Sequence, residues 1–358
     1  MLNDGQEILS YYEKIRFPND QRFSNFKEDF LNENKLNNFL LQNTLQISKI
    51  STPHLFECTS KVLENLKLKS AYDINFFVYA SEEIQAQCYA FSKNKCFIKF
   101  SSSLVNLLEE DEFCFVIGHE LGHFILGHHN YSYHKSHNDF NSLMSSRAKE
   151  ISVDRIGLIA SQEINSSLSA LIKCVSGLDS KHLKINISEF LTQLKDINLG
   201  IESDSIYLSH PPMLVRCRSL LWFSMLNNYK NIGEINSNEL DVLNKKVIND
   251  MEKYIDAPII KIKNEMSDNL MLWLFGKKIV SSGKFSKNNQ KIFIELFGEV
   301  KLKKFTNFIS LFTKKDILHE IEKKVTESLH VLKLNFPENY DQIYESLNNK
   351  VNTRFNEN

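Results

Sequence analysis

The sequence predicts an α+β protein that is mostly α-helical, with a small antiparallel sheet beside one central helix and a helical C-terminal region. Three observations carry this reading. Helix breakers are scarce, with 11 glycines and 6 prolines among 358 residues. Aromatic and β-branched runs bounded by turn signals cluster between residues 73 and 100. Elsewhere apolar residues recur at helical spacing.

Taken in order, residues 1–70 read as helical and amphipathic, with Leu36, Phe39 and Leu40, then Val62, Leu63 and Leu66, as core stripes. Ile74 to Tyr79 is a β-rich run, Gln85 to Phe91 a second, and Cys96 to Phe100 a third after the turn signal Ser92-Lys93-Asn94. A short helix is expected over Ser103 to Leu107. The next helix begins near Glu109–Glu112, where acidic side chains suit the positive end of the helix dipole. It continues through Phe113, Val116, Ile117, Leu121, Phe124 and Ile125, and Gly127 is a natural stop. Residues 128–142 read as a polar loop in which His128, His129, His134 and His137 follow a helix end that favours histidine. Helical periodicity resumes over Leu143–Leu158, then over 165–196 and 212–228, and residues 230–358 are helix-like and Lys-rich.

Composition narrows the partners. Hydrophobic residues make up 42% of the chain, enough to bury a core. Lys and Arg number 43 against 44 Asp and Glu, so charge gives no argument for nucleic acid or a lipid surface. The six cysteines include no CxxC pair and sit beside apolar neighbours, as in Phe113-Cys114-Phe115. They read as reduced core residues of a cytoplasmic protein. The opening MLNDGQEILSYYEK lacks the basic-then-apolar pattern of a signal peptide. No apolar run reaches the ~18–20 residues of a membrane-spanning helix. A transmembrane segment is therefore not expected.

The sharpest feature is His119-Glu120-Leu121-Gly122-His123, an HExxH motif inside the central helix. Residues four apart lie on one helix face, so both imidazoles can reach one Zn²⁺ at ~2.0–2.1 Å. Glu120 beside the first ligand can take a proton from water and pass it to a leaving amine. A catalytic zinc needs a third protein ligand and one open position. Two candidates compete. Glu150 lies on a helix with Asp154 one turn on, so one carboxylate can bind metal while the other holds a ligand imidazole. His129 stands where HExxHxxGxxH proteases place their third ligand, but that pattern needs a glycine at 126. Leu126 occupies that position and the glycine falls one place late, at Gly127, which favours Glu150.

HExxH followed by Glu150-Ile151-Ser152-Val153-Asp154 resembles the HtpX/CAAX-prenyl-protease family of zinc metallopeptidases. A third stretch, Ser209-His210-Pro211-Pro212 with Arg216 four residues on, is similar to a segment of that family that ends in a helix-borne arginine. The resemblance covers roughly residues 72–225. It implies a zincin-like core, with His119, His123 and Glu150 as ligands of one Zn²⁺ per chain and Glu120 as catalytic base. It also implies that Asp154 supports a ligand, that His210 lies near the active site as an oxyanion stabiliser, and that Phe97, Ile98, Lys99 and Phe100 form the edge strand on which a substrate peptide lies extended. Departures are Val153 where members often carry alanine, a short span between His123 and Glu150, and the missing transmembrane helices. These point to soluble bacterial members of the family.

The expectation is a zinc-dependent endopeptidase acting on a polypeptide substrate. Its domains are an N-terminal helical segment (1–70), a zinc metallopeptidase core (71–228) and a helical C-terminal domain (229–358) that offers a surface for a protein partner. The alternative is a protein-binding or chaperone-like factor in which zinc is structural or activity is latent. Arg216 is expected to pair with Asp154 or Glu202, or to lie in solvent.

Overall fold

The computed structural model describes residues 4–20, 33–69, 72–128, 139–184, 186–193, 207–283, 285–313 and 315–356. The chain divides into two compact units, one of Met1–Ser136, Met144–Leu199 and Leu208–Ile255, the other of His137–Leu143, Gly200–Tyr207 and Asp256–Asn358.

In the first unit, α1 (Asp4–Lys14), α2 (Glu33–Asn43), β1 (Leu45–Gln46) and α3 (Pro53–Asn65) precede β2 (Asp73–Tyr79), β3 (Ala86–Ser92) and β4 (Lys95–Ser101). Then follow α4 (Ser102–Leu107), α5 (Glu110–Ile125), α6 (Phe140–Ser161, in this unit from Met144 on), α7 (Ile164–Ser176), α8 (Ile187–Thr192), α9 (Met213–Ser224) and α10 (Ser237–Met251). The second unit holds α11 (Ala257–Ser281), α12 (Lys287–Phe297), α13 (Glu299–Ser310), α14 (Ile317–Asn335) and α15 (Tyr340–Asn356). Its helices pack through an aromatic cluster in which Phe275 meets Phe293, Phe297 and Phe355, and Phe293 stacks on Phe305. The α+β class is as expected, and none of the described helices is long and apolar enough to cross a membrane.

The sheet departs from expectation in two ways. It is mixed, with four strands in the order β1-β2-β4-β3. β3 and β4 form the antiparallel hairpin, but β2 runs parallel to β4 on its other side, from Asp73 opposite Lys95 to Tyr79 opposite Ser101. Strand direction leaves no mark in a period-2 pattern, which is why three consecutive strands read as antiparallel. Consequently Phe97–Phe100 is not an edge. It lies in the central strand, paired on both flanks, and β3 ends the sheet. The sequence does carry the reason: Cys96, Phe97, Ile98 and Phe100 are all buried, and such a near-continuous apolar run suits a strand covered on both faces. β1 is only two residues long, too short to show a strand pattern in the sequence.

Each face of the sheet has its own cover. On one, Phe76, Ile98 and Phe100 join the main core with Phe113, Ile117 and Leu121 of α5, and the rings of Phe100 and Phe113 meet edge to face at 4.9 Å. On the other, Phe77, Phe91 and Phe97 pack with Leu40 and Leu36 of α2, while Phe39 turns outward and is 53% exposed.

Across the core, α5 and α6 approach backbone to backbone. A Cβ on Gly118 would overlap Ala160 and come within 3.0 Å of the Gly157 Cα. One on Gly122 would meet the Val153 side chain at 3.0 Å, and one on Gly157 would meet the Phe115 ring at 2.8 Å. This contact sets the distance between the two helices that carry the candidate ligands. Alanine favours a helix over glycine by about 1 kcal/mol, but overpacking a full core costs about 1–3 kcal/mol. Gly118→Ala is therefore expected to destabilise the protein on denaturant unfolding. Gly233→Ala, whose Cβ meets nothing nearer than 3.7 Å, is expected to change stability by less than about 0.5 kcal/mol.

Candidate metal centre

The HExxH helix is fixed at both ends. At its start the Glu109 backbone N–H donates to the Glu112 carboxylate at 2.8 Å, and Glu112 accepts in turn from the buried Lys173 ammonium of α7 at 2.6 Å. At its end Gly127 adopts φ +71°. Its N–H bonds the Phe124 carbonyl at 3.1 Å, and the His128 N–H reaches back to the His123 carbonyl at 2.8 Å. That pair of bonds is a Schellman closure, which needs a left-handed residue after the helix and is met most cheaply by glycine.

Between these anchors, His119 and His123 present their Nε2 atoms to one carboxylate from α6. His119 Nε2 lies 3.6 Å from Glu150 Oε2, and His123 Nε2 lies 3.6 Å from Glu150 Oε1. One ligand atom from each of the three residues falls within 4.8 Å of the others. His119, His123 and Glu150 are the one group of this kind among the described residues. His129, the competing candidate, lies outside the described residues, as do His134, His137 and Glu202.

The far nitrogen of His119 is held as well. Its Nδ1 lies 3.0 Å from Asp154 Oδ1, one helical turn past Glu150. Asp154 also accepts a two-pronged bond from Arg216 of α9, Nε to Oδ2 at 2.8 Å and Nη2 to Oδ1 at 2.7 Å. Burial pushes the Asp154 carboxyl up, but the Arg216 charge and hydrogen bonds with the His119 bond outweigh it and hold it below the usual carboxylate range. Of the three options open in the sequence, Arg216 takes the pairing with Asp154. Its Nη2 also comes 3.4 Å from Glu150 Oε2.

Glu120 is half-buried on the same helix. Burial, with the nearby Glu150 charge, lifts its carboxyl to about 7, against the pull of His119. His210 sits at the open side, 62% exposed, with Nε2 3.5 Å from Glu150 Oε1 and Nδ1 2.9 Å from the Ser209 hydroxyl. The segment that carries it is tied down two residues earlier, where the buried Arg147 of α6 donates to the Leu208 carbonyl at 2.8 Å. His119, Glu120 and His123 of α5, Glu150 of α6, and His210 and Arg216 from the start of α9 and the segment before it are thus brought to one place.

Residues 51–145 match the model of peptidase family M48. The resemblance read from the sequence therefore holds over that stretch. No curated protein and no solved structure matches the chain. The M48 segment contains His119, Glu120 and His123 and stops before Glu150, Asp154, His210 and Arg216, which reach the site through the fold. The match supports a protease, and the His-His-Glu group can accept the metal that M48 peptidases use.

Two further residues, His128 and Asp20, belong to the site but not to the ligand and catalytic set expected from the sequence. His128 is buried, with Nδ1 3.0 Å from His123 Nδ1 and Nε2 3.2 Å from Asp20 Oδ2. The signal for His128 was present, as a histidine directly after the glycine that closes the HExxH helix.

The Arg216–Asp154 pair gives a stability prediction. Truncating Arg216 leaves a buried carboxylate without its counter-charge, a loss of roughly 3–5 kcal/mol. Arg216→Ala is expected to unfold at markedly lower denaturant than wild type, whereas Lys69→Ala, which removes an ion pair with Glu64 in which both side chains are more than half exposed, is expected to lose far less.

Proposed function

We propose that the chain is a zinc-dependent endopeptidase of the HExxH type, with His119, His123 and Glu150 holding one zinc ion and Glu120 acting on the water that attacks the peptide bond. The observation that carries this reading is the 3.6 Å separation of each imidazole Nε2 from a Glu150 oxygen. Two bonds of 2.0–2.1 Å at a tetrahedral angle place their ligand atoms about 3.4 Å apart, so the three side chains need little movement to share an ion. Two imidazoles and one carboxylate also suit zinc and leave a fourth position free. When bound, the ion polarises a substrate carbonyl and makes water acidic near neutral pH.

The chain's own groups do the rest. Glu120 takes the proton of the attacking water as its oxygen bonds the carbonyl carbon, holds it on its carboxyl, and delivers it to the nitrogen as the C–N bond breaks. His210, exposed at the open side, is placed to donate a hydrogen bond to the oxygen that becomes negative. Arg216 spends its fork on Asp154 and acts through the His119 ring, as a positioning residue. Asp154 fixes that ring with its proton on Nδ1 and its lone pair on Nε2.

Substrate docking moves from the strand first expected to its neighbour. β4 is paired on both sides, so an extended peptide adds to β3, the terminal strand of the sheet. Strand addition uses main-chain hydrogen bonds and reads little sequence. That fits a polypeptide substrate recognised by conformation.

Zinc content and cleavage of an unstructured protein, compared between wild type and Glu120→Gln, test this reading. One zinc per chain in both, with turnover lowered at least about 100-fold in the variant, is expected. Undiminished cleavage in Glu120→Gln contradicts the role of that residue. Zinc in both with cleavage in neither supports a binding protein with a structural or latent site.

A further inference from the structure

The two imidazoles of the HExxH helix are supported differently. His119 leans on a carboxylate, Asp154. His123 leans on another imidazole, that of His128, which is itself buried and backed by a carboxylate from the far end of the sequence. We propose that His128 and Asp20 form a relay that positions the His123 imidazole for metal, so that the N-terminal segment is a working part of the metal centre. The proposal rests on the zinc reading above.

The local backbone makes the first link. In the Schellman closure at Gly127, the residue after the glycine is brought back against the residue five positions earlier, and a hydrophobic contact usually fills that place. Here the two positions are His128 and His123. Their rings lie 5.1 Å apart at 68°, with the Nδ1 atoms 3.0 Å from one another. The second link spans 108 residues, from His128 Nε2 to both Asp20 oxygens at 3.1 and 3.2 Å.

For a neutral His128, proton placement along this chain is fixed. Asp20 is an acceptor, so His128 carries its proton on Nε2 and offers the lone pair of Nδ1. His123 must then donate from Nδ1, which leaves its Nε2 lone pair facing Glu150. That is the tautomer a metal ligand needs. A carboxylate touching His123 directly would achieve the same tautomer, but the relay instead hands the task to a segment outside the M48 match.

Asp20 is held where the relay needs it. Arg16 donates to its Oδ1 at 3.0 Å and, through its other nitrogen, to the Leu126 carbonyl at the end of the HExxH helix at 2.8 Å. From α6, the buried Arg155 donates to the Ile15 carbonyl at 2.9 Å, and the Ser152 hydroxyl accepts from the Phe17 N–H at 2.9 Å. The 15–20 stretch is thus clasped by both ligand-bearing helices. Asp20 and His128 are both buried, 4% and 5% exposed, so neither is polar for the sake of a surface position.

The test measures zinc affinity of the full chain by competition with a chelator, using zinc alone as the probe, with circular dichroism of the metal-free proteins to establish folding. His128→Ala and Asp20→Leu are expected each to weaken zinc binding about 10–100-fold, the range typical of partners behind a ligand. The double variant is expected to lose no more than the worse single one, because both act through one chain of bonds. Asp20→Asn, which keeps a carbonyl acceptor for the His128 Nε2–H, is expected to recover part of the Asp20→Leu loss, and the visible spectrum of the cobalt(II)-loaded protein is expected to shift in His128→Ala. A purely structural role for Asp20 moves neither. Wild-type affinity in folded His128→Ala overturns the relay while leaving the zinc reading intact, and it decides the matter if Asp20→Leu does not fold. A wild type that binds no zinc overturns both.

Discussion

Close packing of α5 on α6 is the constraint on which the site depends. Gly118 and Gly122 on one helix, and Gly157 on the other, remove the side chains that would hold the two backbones apart. Only at that separation does Glu150 fall within 3.6 Å of two imidazoles that lie one turn apart on the facing helix. The same interface explains why Val153 stands beside Asp154: its side chain fills the space above Gly122. A rigid pair of helices is a better platform than a loop for a ligand set that tolerates errors of a few tenths of an ångström.

Around this platform three buried carboxylates are each set against a cation. Arg216 meets Asp154, Lys173 meets Glu112, and Arg16 meets Asp20. Each buried ion is costly alone and tolerable when bonded on several sides. The pairs also have a geometric effect, because each joins the HExxH helix or its ligands to a different element. α7 grips its start, α9 fixes His119 through Asp154, and the N-terminal segment grips its end. The candidate metal centre is therefore distributed over the first unit, while the sequence motif occupies five residues.

What the sequence revealed follows from how local each signal is. HExxH was legible because four residues make one helical turn, so spacing alone puts both histidines on one face. Glu150 and Asp154 were legible as a pair for the same reason, and the absence of a glycine at 126 favoured Glu150 over His129 as the third ligand. The sheet shows the limit of such reading. Alternation located β2, β3 and β4 to within a residue or two, but neighbour order and direction are tertiary facts, and the edge strand was assigned to β4 in place of β3. β1 has two residues and no pattern to detect. Asp20 is an ordinary aspartate in sequence, and it becomes part of the site only when the fold closes a gap of 108 residues. His128 lay between these cases, its role encoded in the glycine before it.

In the function proposed here, a carboxylate from α6 completes a ligand set begun by the HExxH helix. Equilibrium dialysis of zinc against the full-length Glu150→Ala variant, beside wild type, tests it most directly. The account predicts one tightly held zinc per wild-type chain and a loss of at least about 100-fold in affinity for the folded variant, as expected when one of three protein ligands is removed. A variant that holds one zinc as tightly as wild type would contradict it.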